Sequence, residues 1–347
     1  MHTLTLNQGY MKKRPTIKDV ARKVGVTHST VSRVINDNPA ISGRTKDKIL
    51  KAMKELSYQP NLVARGLVRR KTHAFALITP DLNPHVLPII KGISDTCRRL
   101  GYGLMLFSTD YWIGENRSYA EVVRNWLVDG VLIYNVIYHE DVPENIRELE
   151  EENIPCVFIN KFLGKNKVNN VSVDNDEAVF KAVSHLAATG HKRIGMIKGG
   201  MLSVDGVERF NAFRKSLEKL EIEFDENITG CGNFFFSEAY EEMKRILCSS
   251  PGRPTAMFCA NDLMAMGAVK AAEDMGLKVP QDIAVAGFDD LEAARFFKPS
   301  ITTLKPPLED IGGKAIEMLL RVIENPSRPV EEIGLGSRLI VRESSVV

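Results

Sequence analysis

Hydrophobic residues between positions 15 and 60 recur three and four residues apart, the spacing that places side chains on one face of an α-helix. Three such runs are visible, and Gly25, a residue suited to ending a helix, separates the first from the second. The segment 36–39 (Asn-Asp-Asn-Pro) ends the second run. Each run follows a residue whose side-chain oxygen can cap a helix: Thr16, Thr27 and Ser42. The pattern predicts a small all-α domain over residues 15–60.

The second predicted helix has a polar outer face. Two short helices joined by a glycine turn and closed by a third form the helix-turn-helix arrangement, in which the second helix enters the major groove of DNA. The residues off its hydrophobic face are His28, Ser29, Thr30, Ser32 and Arg33. Arg33 can donate two hydrogen bonds to guanine, whereas His28 and Ser29 can bond base edges or phosphates. A solvent-exposed polar face without a ligand is the alternative interpretation.

After residue 74 the pattern changes to short apolar runs that alternate with amphipathic stretches. The strand candidates are Phe75–Ile78, Leu104–Phe107, Val131–Tyr134, Cys156–Ile159, Ile194–Ile197, Met257–Cys259 and Ile283–Gly287. The helix candidates are Val86–Leu100, Ala178–Thr189, Gly206–Leu220, Asp262–Met275 and Ile311–Ile323. Such alternation predicts parallel sheets with helices on both faces, and about 270 residues is long for one sheet. We therefore expect an α/β core of two doubly wound lobes over residues 74–347.

Charge is distributed unevenly between the predicted domains. Residues 1–73 contain 16 Lys or Arg and 4 Asp or Glu, a net charge of +12. The remaining residues contain 30 basic and 40 acidic side chains, a net charge of −10. This asymmetry favours a polyanion-binding head on an acidic body.

The sequence lacks the patterns that are typical of secreted, membrane, metal-binding and catalytic proteins. Residues 1–14 lack periodicity and are expected to form a disordered leader, with no signal-peptide pattern. No apolar run approaches the roughly 18 residues of a membrane span. The five cysteines are odd in number and none is spaced CxxC, which predicts free thiols in a reducing cytoplasm rather than a metal site. Because HExxH, GxSxG and GxxxxGK[ST] are absent, we expect no metal, no cofactor and no catalysis.

The residues just described carry a resemblance to a known family. The run TIKDVARKVGVTHSTVSRVINDNPAIS, followed by TKDKILKAMKELSYQPNLVARGLVRRKT, resembles the DNA-binding head and hinge of the lactose-repressor/galactose-repressor (LacI/GalR) family. The resemblance implies that His28, Ser29 and Arg33 read bases. The DNA contacts expected from the head are Thr16, Thr27, His28, Ser29, Thr30, Ser32, Arg33 and Asn38.

The resemblance also implies a hinge helix and linker over residues 61–73. Asn61 is a suitable cap, Ala64 matches a small residue of the family, and Leu67 matches the leucine that enters a central base step in the minor groove. An apolar wedge of this kind unstacks and kinks the duplex. Arg65 and the basic residues after it would contact phosphates, so we expect salt-dependent binding. So short a helix is expected to be disordered without DNA.

The resemblance continues through the body, in AATGHKRIGMI, PTAMFCANDLMAMGAVKAAEDMGLKVPQDIAVAGFDD and PSITTLKPPLEDIGGKAIEML. It implies two lobes similar to periplasmic sugar-binding proteins with an effector cleft between them. Residues 74–173 and 304–333 are expected in the lobe nearer DNA, and 174–303 and 334–347 in the distal lobe. Family members dimerise through these lobes, so we expect a homodimer on a pseudo-palindromic operator.

Ligands of open α/β sheets bind at the ends of strands, and the resemblance places effector contacts there. The expected contacts are Asn83, His85, Asn160, Ser203, Phe234, Asn261 and Asp289. Amides and carboxylates around an aromatic ring suit a carbohydrate-like ligand or a nucleobase. The resemblance also implicates Asp262, beside Asn261. Structural roles are the alternatives, since Asp289 can stabilise a turn and Asn261 and Asp262 can cap the following helix.

Two departures from the family leave the effector open. The resemblance places a ligand-gripping arginine at the position of Val207, with Glu208 and Arg209 beside it, and the segment around His85 lacks the usual aromatic pair. Control by a phosphocarrier protein, as in related catabolite-control regulators, is therefore kept as an alternative. A sugar-binding protein with no DNA role is the other alternative, against which the missing signal peptide and the basic head argue.

Overall fold

The computed structural model describes residues 15–58, 72–80, 82, 84–108, 119–134, 142–161, 167–249 and 252–346. The chain divides into two compact units, residues 1–72 and 73–347, called the head and the core. Within the described residues no helix is long and apolar enough to cross a membrane. The same residues contain no group of three or more His, Cys, Asp or Glu side chains arranged to hold a metal ion.

The head contains the three helices that the periodicity predicts. They are α1 Ile17–Val24, α2 His28–Ile35 and α3 Gly43–Glu55. Val20, Val31 and Ile49 are fully buried where the helices meet. Gly25 ends α1 with a φ of 73°, a left-handed conformation that costs glycine little because it has no Cβ. The small core thus depends on one buried hydrophobic residue or more from each helix.

The core contains two six-stranded sheets, the first of which is entirely parallel. Its strands are β1 Ala74–Thr79, β2 Gly103–Ser108, β3 Gly130–Tyr134, β4 Cys156–Ile159, β5 Asn170–Val173 and β11 Glu332–Leu335. They are ordered β11-β5-β4-β3-β1-β2. The helices of this N-lobe are α4 Leu87–Leu100, α5 Tyr119–Trp126, α6 Val142–Glu151 and α12 Leu308–Glu324.

The second sheet forms the C-lobe and has one antiparallel edge strand. Its strands are β6 Ile194–Lys198, β7 Thr229–Cys231, β8 Ala256–Cys259, β9 Ala284–Phe288, β10 Thr302–Lys305 and β12 Arg338–Ile340, in the order β12-β10-β9-β8-β6-β7. Its helices are α7 Asn175–Ala188, α8 Val204–Lys219, α9 Phe236–Ser249, α10 Asp262–Asp274 and α11 Glu292–Phe296. Short 3₁₀ turns lie at Glu226–Ile228 and Glu343–Ser345.

The chain passes between the lobes three times: after β5, after β10 and after β11. β10 extends to Lys305 and β11 to Leu335, so the second and third crossings come about two residues later than the sequence suggests. Two crossing segments are bonded together, because Asp174 N donates to Leu335 O at 2.9 Å. The carboxyl ends of parallel strands meet at one edge of a sheet, so loops after β4, β6, β8 and β9 are available to build a site.

Candidate functional site

The outer face of α2 presents the polar residues expected to read DNA. His28, Ser29 and Arg33 are exposed, whereas Val31 and Val34 face the head core. The N-terminus of α2 is fixed by its cap, since Thr27 Oγ1 accepts from Thr30 N at 3.2 Å. Thr27 Oγ1 also lies 2.8 Å from Ser29 Oγ and 2.9 Å from Thr30 Oγ1. Ser32 and Thr30 are half-buried at the edge of this face.

Two further residues expected at DNA have local structural roles. Thr16 forms a capping box with Asp19, whose Oδ2 accepts from Thr16 N at 2.9 Å and from Thr16 Oγ1 at 2.7 Å. Asn38 Oδ1 accepts from Ala40 N at 2.9 Å in the turn after α2. Both side chains are exposed, so contact with DNA stays a prediction for them. The hinge residues Asn61, Ala64, Arg65 and Leu67 lie outside the described residues.

Arg209 is the centre of a buried polar network in the core. It projects from α8, and its side chain is 3% exposed. Its Nη1 donates to Ala260 O at 2.6 Å and lies 3.5 Å from Asp289 Oδ1. Its Nε donates to Asn175 Oδ1 at 3.3 Å, and Asp205 Oδ1 lies 3.8 Å from Nη2. One guanidinium therefore connects α8 with the ends of β8 and β9 and with the start of α7.

Asp289 directly follows β9 and has a φ of 109°. His85, on the segment before α4 in the N-lobe, places Nδ1 3.4 Å from Asp289 Oδ1. Burial raises the pKa of Asp289 above its ordinary value, while the charges of His85 and Arg209 oppose that rise. The carboxylate can accept a hydrogen bond from a ligand that enters between the lobes.

Further polar side chains meet across the lobes. Asn160, which follows β4 with a φ of 78°, donates from Nδ2 to Asp205 Oδ2 at 2.9 Å. Its neighbour Lys161 lies 3.0 Å from Glu208 Oε1 through Nζ. Glu208 Oε2 in turn accepts from Asn175 Nδ2 at 2.8 Å. The N-lobe loop after β4 is thus bonded to the first turns of α8 in the C-lobe.

Phe234 supplies an aromatic surface at the same end of the C-lobe. It has a φ of 68°, and its ring lies so close to Gly199 that a Cβ there would come within 2.1 Å of Phe234 Cζ. Asn261 holds this segment, because its Nδ2 donates to Phe234 O at 3.2 Å while its Oδ1 caps α10 by accepting from Met264 N at 2.9 Å. The polar atoms of Asn261 are therefore used structurally, and an effector contact by Asn261 stays a prediction.

Three expected effector contacts remain: Ser203, Asn83 and Asp262. Ser203 is the half-buried N-cap position of α8, without a side-chain cap bond, and Asn83 lies outside the described residues. Asp262 is fully buried and belongs to the framework, accepting from Leu291 N at 2.7 Å and Thr303 Oγ1 at 2.5 Å. Burial raises the pKa of Asp262 well above its ordinary value, and the charge of Asp289 adds to that rise.

Comparison with known proteins identifies the family. Residues 16–61 match the model of the bacterial regulatory proteins, lacI family, and residues 183–345 match a periplasmic binding protein-like domain. The HTH-type transcriptional repressor PurR of Escherichia coli O139:H28 is 35% identical over 331 residues, covering 95% of this chain and 96% of that protein. The chain belongs to the lacI family. PurR of Pectobacterium atrosepticum is 36% identical over 332 residues, with the same two coverages.

Solved structures agree with this assignment. A lac repressor dimer bound to operator and the anti-inducer ONPF has a TM-score of 0.83 at 27% identity, covering 96% of this chain and all of that chain. A CelR–cellobiose complex has a TM-score of 0.69 at 31% identity, covering 95% of this chain and all of the other. The predicted helix-turn-helix head and two-lobed α/β core are confirmed, and the protein is a DNA-binding transcription regulator. A sugar-binding protein without a DNA role is thereby set aside.

The cleft contains residues that sequence reasoning did not select. The arginine of α8 that faces Asp289 is Arg209, two residues after Val207. Asp205, Asn175 and Glu208 were not expected at the cleft either. The available signal was the pair Asp205 and Arg209, four residues apart at the start of a helix that follows a strand, a spacing that places both on one helix face.

Proposed function

We propose that this regulator represses transcription from a pseudo-palindromic operator, and that a small carbohydrate-like effector bound between the lobes changes its operator affinity. The contact that supports the proposal best is the group formed by Arg209, Asp289 and His85, which unites side chains of both lobes around one carboxylate. A ligand that takes the place of His85 at Asp289 would alter the contacts between the lobes. It would thereby favour one lobe arrangement over another.

The head would read the operator through His28, Ser29 and Arg33, and the segment 61–73 would enter the minor groove with Leu67 as the wedge. Two copies are needed to read two half-sites, so we propose a homodimer acting on the chromosome in the bacterial cytoplasm. The PurR and lac repressor relatives are repressors, and we propose that the cleft binds its ligand without catalysis. A phosphocarrier protein as an additional partner stays a prediction.

The test begins by selecting an operator from random duplex DNA with the full-length protein. Sugars and nucleosides are then screened for thermal stabilisation of the protein, because a ligand that binds the native state raises its apparent stability. For each ligand found, its affinity is measured with and without operator. Linkage requires the two to change each other's affinity by the same factor, about 5- to 150-fold for typical allosteric coupling. Equal ligand affinity in both conditions would contradict effector control.

A further inference from the structure

The charged side chains of the Arg209 network do not balance. Arg209 and Lys161 contribute two positive charges, against three negative charges from Asp205, Glu208 and Asp289. Lys161 is paired with Glu208 at 3.0 Å, which leaves Arg209 as the partner of both aspartates. With its three carboxyl groups ionised and His85 neutral, this network thus carries one excess negative charge.

Arg209 is poorly placed to bind an anionic ligand. Two of its nitrogens already donate to protein oxygens, at 2.6 Å to Ala260 O and 3.3 Å to Asn175 Oδ1. The guanidinium Cζ lies 3.7 Å from the centroid of the Phe288 ring, so that ring covers one face. Its charge is shared between the carboxylates of Asp205 and Asp289. A phosphate or carboxylate that approached Arg209 would therefore also approach two negative groups.

Asp205 is the less neutralised of these two carboxylates. It lies in the first turn of α8, and its side chain is 10% exposed. Asp205 Oδ2 accepts a hydrogen bond from the neutral amide of Asn160, and Oδ1 is 3.8 Å from Arg209 Nη2, beyond hydrogen-bond distance. Asp289, by contrast, has both His85 and Arg209 within 3.5 Å. The charge of Asp205 therefore acts on whatever occupies the cleft.

We propose that Asp205 is a specificity residue that excludes anionic effectors, so that the cleft selects an uncharged polyhydroxyl ligand over its phosphorylated or carboxylated counterpart. Hydroxyl groups can donate to Asp205 and Asp289. A negatively charged group of a ligand would instead be repelled by these largely buried carboxylates. At an effective dielectric constant of about 20 and a separation of roughly 6 to 12 Å, one such repulsion weakens binding by roughly 10- to 100-fold. The inference rests on the proposed small-molecule control of this cleft.

The test uses matched pairs of probes on the full-length protein. Thermal shift and then calorimetry compare glucose with glucose 6-phosphate, galactose with galacturonate, cellobiose with cellobionate, and adenosine with its 5′-monophosphate. In every pair that binds, we expect the anionic probe to bind at least about 10-fold more weakly than its neutral partner. Asp205→Asn keeps the side-chain size. It should reduce the ratio of the anionic to the neutral dissociation constant by about 10-fold. Glu218→Gln removes an exposed charge from the same helix and should leave the ratio unchanged.

The outcomes separate this inference from the proposed function. An anionic probe that binds as tightly as its neutral partner overturns the exclusion. A ratio that stays unchanged in Asp205→Asn, while the neutral probe still binds, overturns the role of Asp205. Asp205→Ser gives a second measurement if the asparagine variant does not fold. Failure of every neutral and anionic probe to stabilise the protein would instead count against small-molecule control itself.

Discussion

The Arg209 guanidinium lies over the ring of Phe288, with Cζ 3.7 Å from the ring centroid. The last residue of β9 thus supports the cation that faces Asp289, the next residue in the chain. Cation and ring attract each other through the ring quadrupole, more strongly where water is excluded. The strand fixes both the carboxylate of the cleft and the surface that orients its arginine.

Removing Arg209 should destabilise the core strongly. Arg209→Met leaves the buried carboxylates of Asp205 and Asp289 without their cation, which costs about 3 to 5 kcal/mol of unfolding free energy. Arg214→Met is the matched control, because Arg214 is exposed on the same helix with Cζ 5.1 Å from the Phe224 ring, a contact worth at most about 1 kcal/mol. Urea unfolding gives the free energy of unfolding of both variants. Similar losses in the two would show that the buried network contributes little.

Lys161 and Glu208 should couple the lobes measurably but weakly. Their side chains are 42% and 17% exposed, so solvent screening limits the pair to about 0.5 to 1 kcal/mol. A double-mutant cycle with Lys161→Met and Glu208→Gln isolates this energy, because glutamine can still accept from Asn175. Hydrogen exchange should quicken in the loop after β4 and in the first turn of α8 in both single variants. Unaltered exchange there would mean that the pair does not restrain the lobes.

The sequence predicted more of the head than of the cleft. Thr16, Asp19 and Gly25 act within a few residues of chain, so their capping roles can be read locally. Buried strands such as Val131–Tyr134 form continuous apolar runs and were found, whereas half-polar β5 and the exposed edge strand β11 were missed. The positions of α5, α6, α9 and α11 were also missed.

The cleft depends on parts of the chain that are distant in sequence. His85 and Asp289 belong to different lobes, and no local periodicity indicates that they meet. The meeting of Asn160 with Asp205 likewise follows from three crossings between two sheets. The strand ends predicted the general location of the site, but only their packing reveals which side chains are already bonded to one another.

His185 should make stability fall on mild acidification. It bonds Ser345 Oγ through Nε2 at 2.8 Å, and burial lowers the pKa of His185 below its usual value of 6.5. The unfolded chain therefore binds a proton at a higher pH than the folded protein does, so stability is lost as pH falls below 6.5. Unfolding free energies at about pH 7.5 and about pH 5.5 measure this loss. The His185→Gln variant should lose less unfolding free energy between these two pH values. Equal losses in the variant and in the unchanged protein would contradict this role of His185.

Arg33 should determine the identity of one operator base pair. Arg33→Ala is expected to cost about 1 to 3 kcal/mol of binding and to relax preference at that position alone, because a bidentate contact to guanine is lost. Lys54→Ala removes a charge from the last turn of α3 and serves as the control. Affinities are measured against a panel of single-base operator variants. Uniform weakening across the panel would make Arg33 a phosphate contact.

The order in which the strands of the two sheets are synthesised determines when each part of the protein can fold. The head needs only residues 17–55 for its three helices, so it can fold while most of the core is still being translated. Neither lobe has that freedom, because β11 completes the first sheet and β12 completes the second. The turn Glu343–Ser345 adds a further late contact, in which Ser344 Oγ donates to Val285 O at 2.6 Å. A chain that stalls on the ribosome during synthesis of the core would therefore carry a folded head attached to a core whose sheets are incomplete.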